Sequence, residues 1–249
     1  MHKVLITGIT GFLGSHIAET LIENNVQIIG LKRAGSDIWR CKDFEYKIDW
    51  VNLDAEGDWQ SILIEKSPNV IIHSAWIGVN AADRDNWSEQ VKNIEFIVSL
   101  LELGKKLRIK KIIFLGSQAE YGFTNGKITE EHPVIALNAY AGIKLAAFEI
   151  FKTFCELNKI NWIWLRLFSL FGEKEDKSWL IPSVINKMST SSEMDLTAGE
   201  QKYAYLYVKD FSKIINVLLV KEVNSGVYNI SSNETHMLKD LIEFIKNEN

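Results

Sequence analysis

Tyr140 and Lys144 stand one helical turn apart in Tyr140-Ala141-Gly142-Ile143-Lys144, at the start of a segment whose apolar spacing predicts a helix over 139–157. Residues at that spacing share a helix face. A phenol near an ammonium has its phenolate favoured and its pKa drawn toward neutrality, which suits it to general acid/base work. Ser117 lies just past an apolar strand, Lys111–Leu115, at its C-terminal end. Its hydroxyl can hydrogen-bond a carbonyl or carbinol oxygen. The three side chains form a proton relay suited to hydride transfer at a C–O centre.

A Tyr-x-x-x-Lys pair alone describes many solvated helix faces. A second constellation gives it meaning: Thr7-Gly8-Ile9-Thr10-Gly11-Phe12-Leu13-Gly14, after the strand Val4-Leu5-Ile6 and opening an apolar-periodic segment. Strand before and helix after is the context a dinucleotide fingerprint requires. Gly8 permits the tight turn, Gly11 lets backbone approach a pyrophosphate, and Gly14 lets the helix pack close on the strand. The helix start offers free N–H groups and the positive dipole end to phosphates. The spacing is G-x-x-G-x-x-G rather than G-x-G-x-x-G.

These residues need a scaffold, and the chain supplies alternating elements. Strands are predicted at Val4–Thr7, Val26–Leu31, Tyr46–Val51, Val70–Ser74, Lys111–Leu115 and Trp162–Leu167. Helices are predicted at Phe12–Asn24, Trp59–Lys66, Arg84–Leu107 and Ala139–Leu157. This rhythm predicts an α/β fold with a Rossmann-type, doubly wound parallel sheet. Solidly apolar runs such as Val70-Ile71-Ile72 read as strands buried on both faces. After Phe171-Gly172 the rhythm changes. Charged and polar loops (173–178 and 189–193) punctuate short strands (Met194–Leu196, Tyr203–Tyr207, Val227–Ile230) and helices (Ile181–Met188, Phe211–Val220, Leu238–Lys246). Residues 1–172 are thus expected to form the dinucleotide-binding domain. Residues 173–249 should form a small α+β lobe, interleaved with it and capping the substrate at the sheet's C-terminal edge.

Composition narrows the classes. The 249 residues are 47% hydrophobic and 24% charged, with a net charge of −4, which fits an ordinary soluble globular protein. Lys and Arg are scattered, so nucleic acid is not an expected partner. Cys41 and Cys155 have no C-x-x-C partner, and the five histidines show no ligand spacing. The expectation is a cytoplasmic, reducing setting without a disulfide framework or metal. No signal peptide or membrane-spanning run is visible.

Thr7–Gly14, the run Gly116-Ser117-Gln118-Ala119-Glu120-Tyr121-Gly122, and Tyr140 with Lys144 resemble the extended short-chain dehydrogenase/reductases, the NAD(P)-dependent nucleotide-sugar epimerases, dehydratases and reductases. Ile72-His73-Ser74-Ala75, Asn93, Leu165-Arg166-Leu167-Phe168, Leu180-Ile181-Pro182 and Tyr205–Asp210 extend the likeness over nearly the whole chain. The resemblance implies that Tyr140 is the general acid/base, that Lys144 tunes it and binds the nicotinamide ribose, and that Ser117 polarises the substrate oxygen. It places Ser74, Ala75 and Asn93 along the cofactor, with Asn52 and Leu53 at the adenine. Gln118, Ser169, Leu180, Lys202 and Tyr203 fall at substrate positions. His73 reads as a buried, hydrogen-bonded strand-end histidine rather than a catalytic one.

Cofactor choice turns on the end of the second strand, where Lys32 and Arg33 stand instead of the carboxylate that holds an NAD ribose. Ser36 and Arg40 follow, and no carboxylate occurs before Asp37. Cations suit a 2′-phosphate, so NADP is expected over NAD. Free NADPH implies net reduction rather than epimerisation. Gln118-Ala119 stand where the family's dehydratases carry Asp-Glu, and Gln118 cannot protonate a leaving hydroxyl. The cysteines lie off the positions used by epimerase-reductases. A 4-keto reductase of a nucleotide-activated deoxysugar remains, of the abequose- or paratose-forming kind. A nucleotide-sugar 4-epimerase, a reductase of small ketones or aldehydes, and an NADP-binding regulator are the other readings. Ser169 and Tyr203 depart from the family's Asn and diphosphate-gripping Arg. The long helices 84–107 and 139–157 are expected to pair with their mates in a homodimer.

Overall fold

The computed structural model describes residues 2–54, 58–190 and 197–248. Its first part alternates β1 (Lys3–Thr7), α1 (Phe12–Glu23), β2 (Gln27–Lys32), β3 (Ile48–Asn52), α2 (Trp59–Lys66), β4 (Val70–His73), α3 (Trp87–Lys106), β5 (Lys111–Leu115), α4 (Ala139–Leu157) and β6 (Asn161–Leu167). Then come β7 (Leu170–Phe171), α5 (Leu180–Ser189), β8 (Lys202–Tyr203), β9 (Leu206–Tyr207), α6 (Val208–Val220), β10 (Gly226–Ile230), β11 (His236–Met237) and α7 (Leu238–Glu248). The main sheet has seven strands in the order β3-β2-β1-β4-β5-β6-β10. Every neighbouring pair is parallel. Strand order reverses between β1 and β4, and that switch point opens the crevice in which doubly wound sheets bind ligands.

Alternation along the strands fills two cores. Val4 and Ile6 of β1 pack with Ile17 and Leu21 of α1 and with Phe211 and Ile215 of α6. Leu5, on the opposite face, joins Ile97 and Leu101 of α3 and Phe151 of α4. Side chains of period two feed both layers, which is why the strands read as continuous apolar runs.

Several boundaries differ from the sequence expectation. The helix expected from Arg84 begins at Trp87, because Asn86 caps it by accepting the Glu89 amide at 3.2 Å. Arg84 is left in the connection. The single strand expected at Tyr203–Tyr207 is two: β8 pairs with β11, and β9 with β7. The strand at Val227–Ile230, read with the lobe, is the seventh strand of the main sheet beside β6. Helix α6 starts at Val208 and lies on α1, where the Thr20 and Ser212 hydroxyls meet at 2.7 Å. The strand expected at Met194–Leu196 lies outside the described residues. Among the described residues, no helix is long and apolar enough to cross a membrane.

Candidate active site

The glycine turn is built as its spacing predicts. Gly8 has φ +67°, and a Cβ there would lie 2.6 Å from the Ala75 amide nitrogen. A Cβ on Gly14 would lie 2.2 Å from the Gly8 carbonyl oxygen. Both positions exclude a side chain, one by conformation and contact, the other by contact alone. The Gly11 amide donates to the Gly8 carbonyl at 3.0 Å. Helix α1 opens with no side-chain cap and no acidic residue in its first turn, so its first N–H groups face the turn as anion donors. Thr10, Phe12 and Leu13 are half-buried around it. Thr7 is buried, and its hydroxyl meets His73 Nδ1 at 2.8 Å, so Thr7 reaches a ligand only by its backbone. The Ser74 hydroxyl donates to the Thr7 carbonyl at 3.1 Å and fastens the turn to β4. Asn93 spends its amide on the loop after β4: Oδ1 accepts from the Ile77 amide at 2.8 Å, and Nδ2 donates to the Ile77 and Gln90 carbonyls. These bonds hold the loop after β4 in shape.

At the C-terminal end of β2, Lys32 Nζ lies 5.8 Å from the Trp50 ring centroid and Arg33 is exposed. The Leu53 amide donates to the Lys32 carbonyl at 2.8 Å. Asn52 Oδ1 is buried with no hydrogen-bond partner among the described residues. Two sequence expectations need correcting here. Asp54 Oδ1 accepts from the Ala34 amide at 2.6 Å, so the β2 loop does hold a carboxylate, brought in from the end of β3 by the parallel pairing. Arg40 turns away, its Nε donating to the Lys174 carbonyl at 2.8 Å.

The relay residues converge at the C-terminal edge of β5. Asn138 caps α4 by accepting the Ala141 amide at 2.9 Å, which places Tyr140 in the first turn. Ser117 caps the single turn 118–121, its hydroxyl accepting from the Ala119 amide at 3.2 Å. The Ser-x-x-Glu spacing is a capping-box signal that the sequence reading passed over. Glu120 is fully buried. It accepts from the Ser117 amide at 2.8 Å, Arg166 Nε at 2.7 Å and Trp164 Nε1 at 3.1 Å. That pair pins Ser117 to β6.

Lys144 is buried, and its Nζ donates to the Leu115 carbonyl at 2.8 Å while sitting 3.6 Å from the Trp76 ring centroid. Burial pulls its pKa down to about 7, against the pull of the Glu120 charge. The expected lowering of the Tyr140 pKa by Lys144 is not what the structure has. Burial raises the phenol, and the nearby Ser117 side chain and the Arg84 charge oppose that rise. Arg84 and Trp76 were invisible as site residues, one hidden in a predicted helix and the other carrying no titratable group.

The residues matched to substrate positions lie on separate elements. Gln118 is exposed on the turn after Ser117, and Leu180 starts α5. The Ser169 carbonyl accepts the Leu206 amide, and Tyr203 stacks obliquely on Tyr205 at 5.4 Å beside exposed Lys202.

A glycine cradle at the switch point and a Ser–Tyr–Lys group at the next strand end define a Rossmann-fold enzyme that works on C–O bonds. Residues 4–231 match the family model described as the NAD dependent epimerase/dehydratase family. A CDP-abequose synthase from Salmonella muenchen is 30% identical over 99% of this chain and 80% of its own length. A candidate UDP-glucose 4-epimerase from Methanocaldococcus jannaschii is also 30% identical, over 98% of this chain and 82% of its own. Among solved structures, a UDP-glucuronic acid 4-epimerase from Bacillus cereus in complex with NAD superposes with a TM-score of 0.86. It is 22% identical and covers 98% of this chain and 82% of that one. The chain belongs to the NAD-dependent epimerase/dehydratase family, the extended short-chain dehydrogenase/reductases.

Proposed function

We propose that this enzyme reduces the keto group of a nucleotide-activated 4-keto-deoxysugar with NADPH. The observation that carries the reading is the convergence of three groups: Ser117 directly after β5, Tyr140 in the first turn of α4, and Lys144 with its Nζ on the Leu115 carbonyl at 2.8 Å and 5.8 Å from the Tyr140 ring centroid. The residues present fit a dinucleotide: the turn at Gly8 and Gly14 has no room for side chains, and the buried, partnerless Asn52 Oδ1 suits an adenine amino group. When bound, the nicotinamide supplies the hydride. Tyr140 gives its proton to the oxygen that becomes a hydroxyl, and Ser117 holds that oxygen in line. Lys144, beside Tyr140 on α4, is the residue the family resemblance assigns to the ribose hydroxyls. Gln118, Ser169, Leu180, Lys202 and Tyr203 bound the space for the sugar nucleotide, with the parts of 173–249 outside α6 and β10 as its cap. The 30% identity to a CDP-abequose synthase supports the reductase assignment.

Asp54 favours a second reading. A carboxylate held on the Ala34 amide can accept a ribose 2′-hydroxyl, which suits NAD and a 4-epimerase that keeps its cofactor. Calorimetric titration separates the two. Lys32 and Arg33 should make NADP(H) bind at least about tenfold tighter than NAD(H), about 1.4 kcal/mol. Equal affinities or a preference for NAD would move the assignment to the epimerase.

A further inference from the structure

The acid/base reading of Tyr140 leaves Arg84 unused, although its guanidinium carbon lies 5.1 Å from the Tyr140 ring centroid. Three contacts fix it there. Arg84 Nε donates to the Val79 carbonyl at 3.0 Å. The guanidinium lies 5.9 Å from the ring centroid of Trp179, the residue that caps α5. The Arg84 carbonyl accepts the Tyr140 amide at 2.8 Å, so the same residue sets the first turn of α4. None of the ion pairs among the described residues includes Arg84. Its neighbour Asp85 turns its carboxylate to the Ala139 amide at 3.3 Å.

The other charges facing the phenol are two. Glu120, from the turn after β5, opposes its ionisation. Lys144, from the same helix, lies 5.8 Å from the ring centroid, with its ammonium committed to the Leu115 carbonyl and the Trp76 face. A guanidinium stays charged at every working pH, whereas a buried ammonium loses its proton as pH rises.

We propose that Arg84 is a positioning residue for catalysis: clamped between the Val79 carbonyl and the Trp179 indole, it is the permanent charge that sets how readily Tyr140 parts with its proton. The proposal rests on Tyr140 being the general acid/base. As the phenol O–H breaks and the substrate O–H forms, the phenolate left behind faces the guanidinium. Charge of one sign appears next to fixed charge of the other, and the proton transfer itself changes no oxidation state.

The test needs no substrate. Enzyme carrying ring-labelled tyrosine, saturated with NADP, is titrated by NMR, with the Tyr140 signal assigned from Tyr140→Phe. Arg84→Gln should raise the midpoint of the Tyr140 titration by about 1 pH unit, tenfold less phenolate at any given pH, and Arg84→Lys should stay near wild type. With a CDP-4-keto-6-deoxysugar, kcat should fall up to about tenfold in Arg84→Gln while KM moves by less than about twofold. An unmoved Tyr140 signal, or Arg84→Lys displaced as far as Arg84→Gln, overturns the proposal. A change in KM alone also overturns it, because it makes Arg84 a substrate-binding residue. Should Arg84→Gln not fold, Trp179→Ala loosens the guanidinium from an exposed position, and an unmoved Tyr140 signal there overturns the proposal as well. Full turnover in Tyr140→Phe sinks the acid/base reading separately, since the NMR shift is read without turnover.

Discussion

His73 ends β4 with its ring 4.4 Å from that of Phe114 and 5.7 Å from that of Phe96, and its Nδ1 on the Thr7 hydroxyl. Burial first, and then the Lys144 charge, hold its pKa down to about 3. The imidazole is therefore neutral in the working enzyme and acts as a strut between β1 and β4. The cost appears in acid. The unfolded chain protonates this histidine below its ordinary value of 6.5, and the folded chain does so only near 3. His73 thus leaves stability intact above about pH 6.5 and erodes it as pH falls toward 3, by up to about 1.4 kcal/mol per pH unit. His73→Gln keeps a hydrogen-bonding partner for Thr7 but cannot titrate. Urea unfolding of both proteins from pH 7 to pH 5 should show wild type losing stability faster, so that the gap between them narrows. Parallel loss in the two proteins would contradict this account of His73.

Helices α3 and α4 pack on each other across the same face of the sheet. Trp87, Val91 and Val98, on one stripe of α3, are nonetheless exposed, and Trp87 lies against Gly142 of α4, where a Cβ would come 3.3 Å from its ring. Apolar residues at helical spacing, standing outside the core of their own subunit, suit a twofold mate of the same chain. We propose that a second copy covers them. Light scattering after size exclusion should give about twice 28.5 kDa, and Val91→Asp should shift the mass to that of the monomer. A wild-type monomer at micromolar concentration would rule out a stable dimer. Element bounds were most legible where local chemistry sets them: α2, β5 and α4 begin and end as their patterns predict. They were least legible where a distant partner decides. Tyr203–Tyr207 reads as one strand because its residues favour extended backbone, yet β11 and β7 divide it between two small sheets. Val227–Ile230 looks like its neighbours in sequence, and only its pairing with β6 puts it in the main sheet.

Across the whole molecule, the relay and the cradle could be read in advance because each is a short run of sequence. Gly8 to Gly14 is one turn, and Tyr140 with Lys144 is another. What surrounds them could not, because it is assembled from segments far apart: Asp54 against Ala34, Arg166 and Trp164 against Glu120, and Arg84 with Trp179 around Tyr140. Those contacts turn a family pattern into a particular environment, and the proposals on cofactor choice and proton affinity rest on them. The central claim is that this environment makes a reductase in which Tyr140 supplies the proton. The most direct measurement is NADPH absorbance during turnover, with CDP-, dTDP- and GDP-4-keto-6-deoxysugars as substrates and simple ketones alongside, in wild type and Tyr140→Phe. Wild type should consume NADPH with a nucleotide keto sugar, and Tyr140→Phe should be slower by roughly 10²–10⁴-fold with cofactor binding nearly unchanged. No consumption with any nucleotide sugar, or near-wild-type turnover without the phenol, would contradict the account.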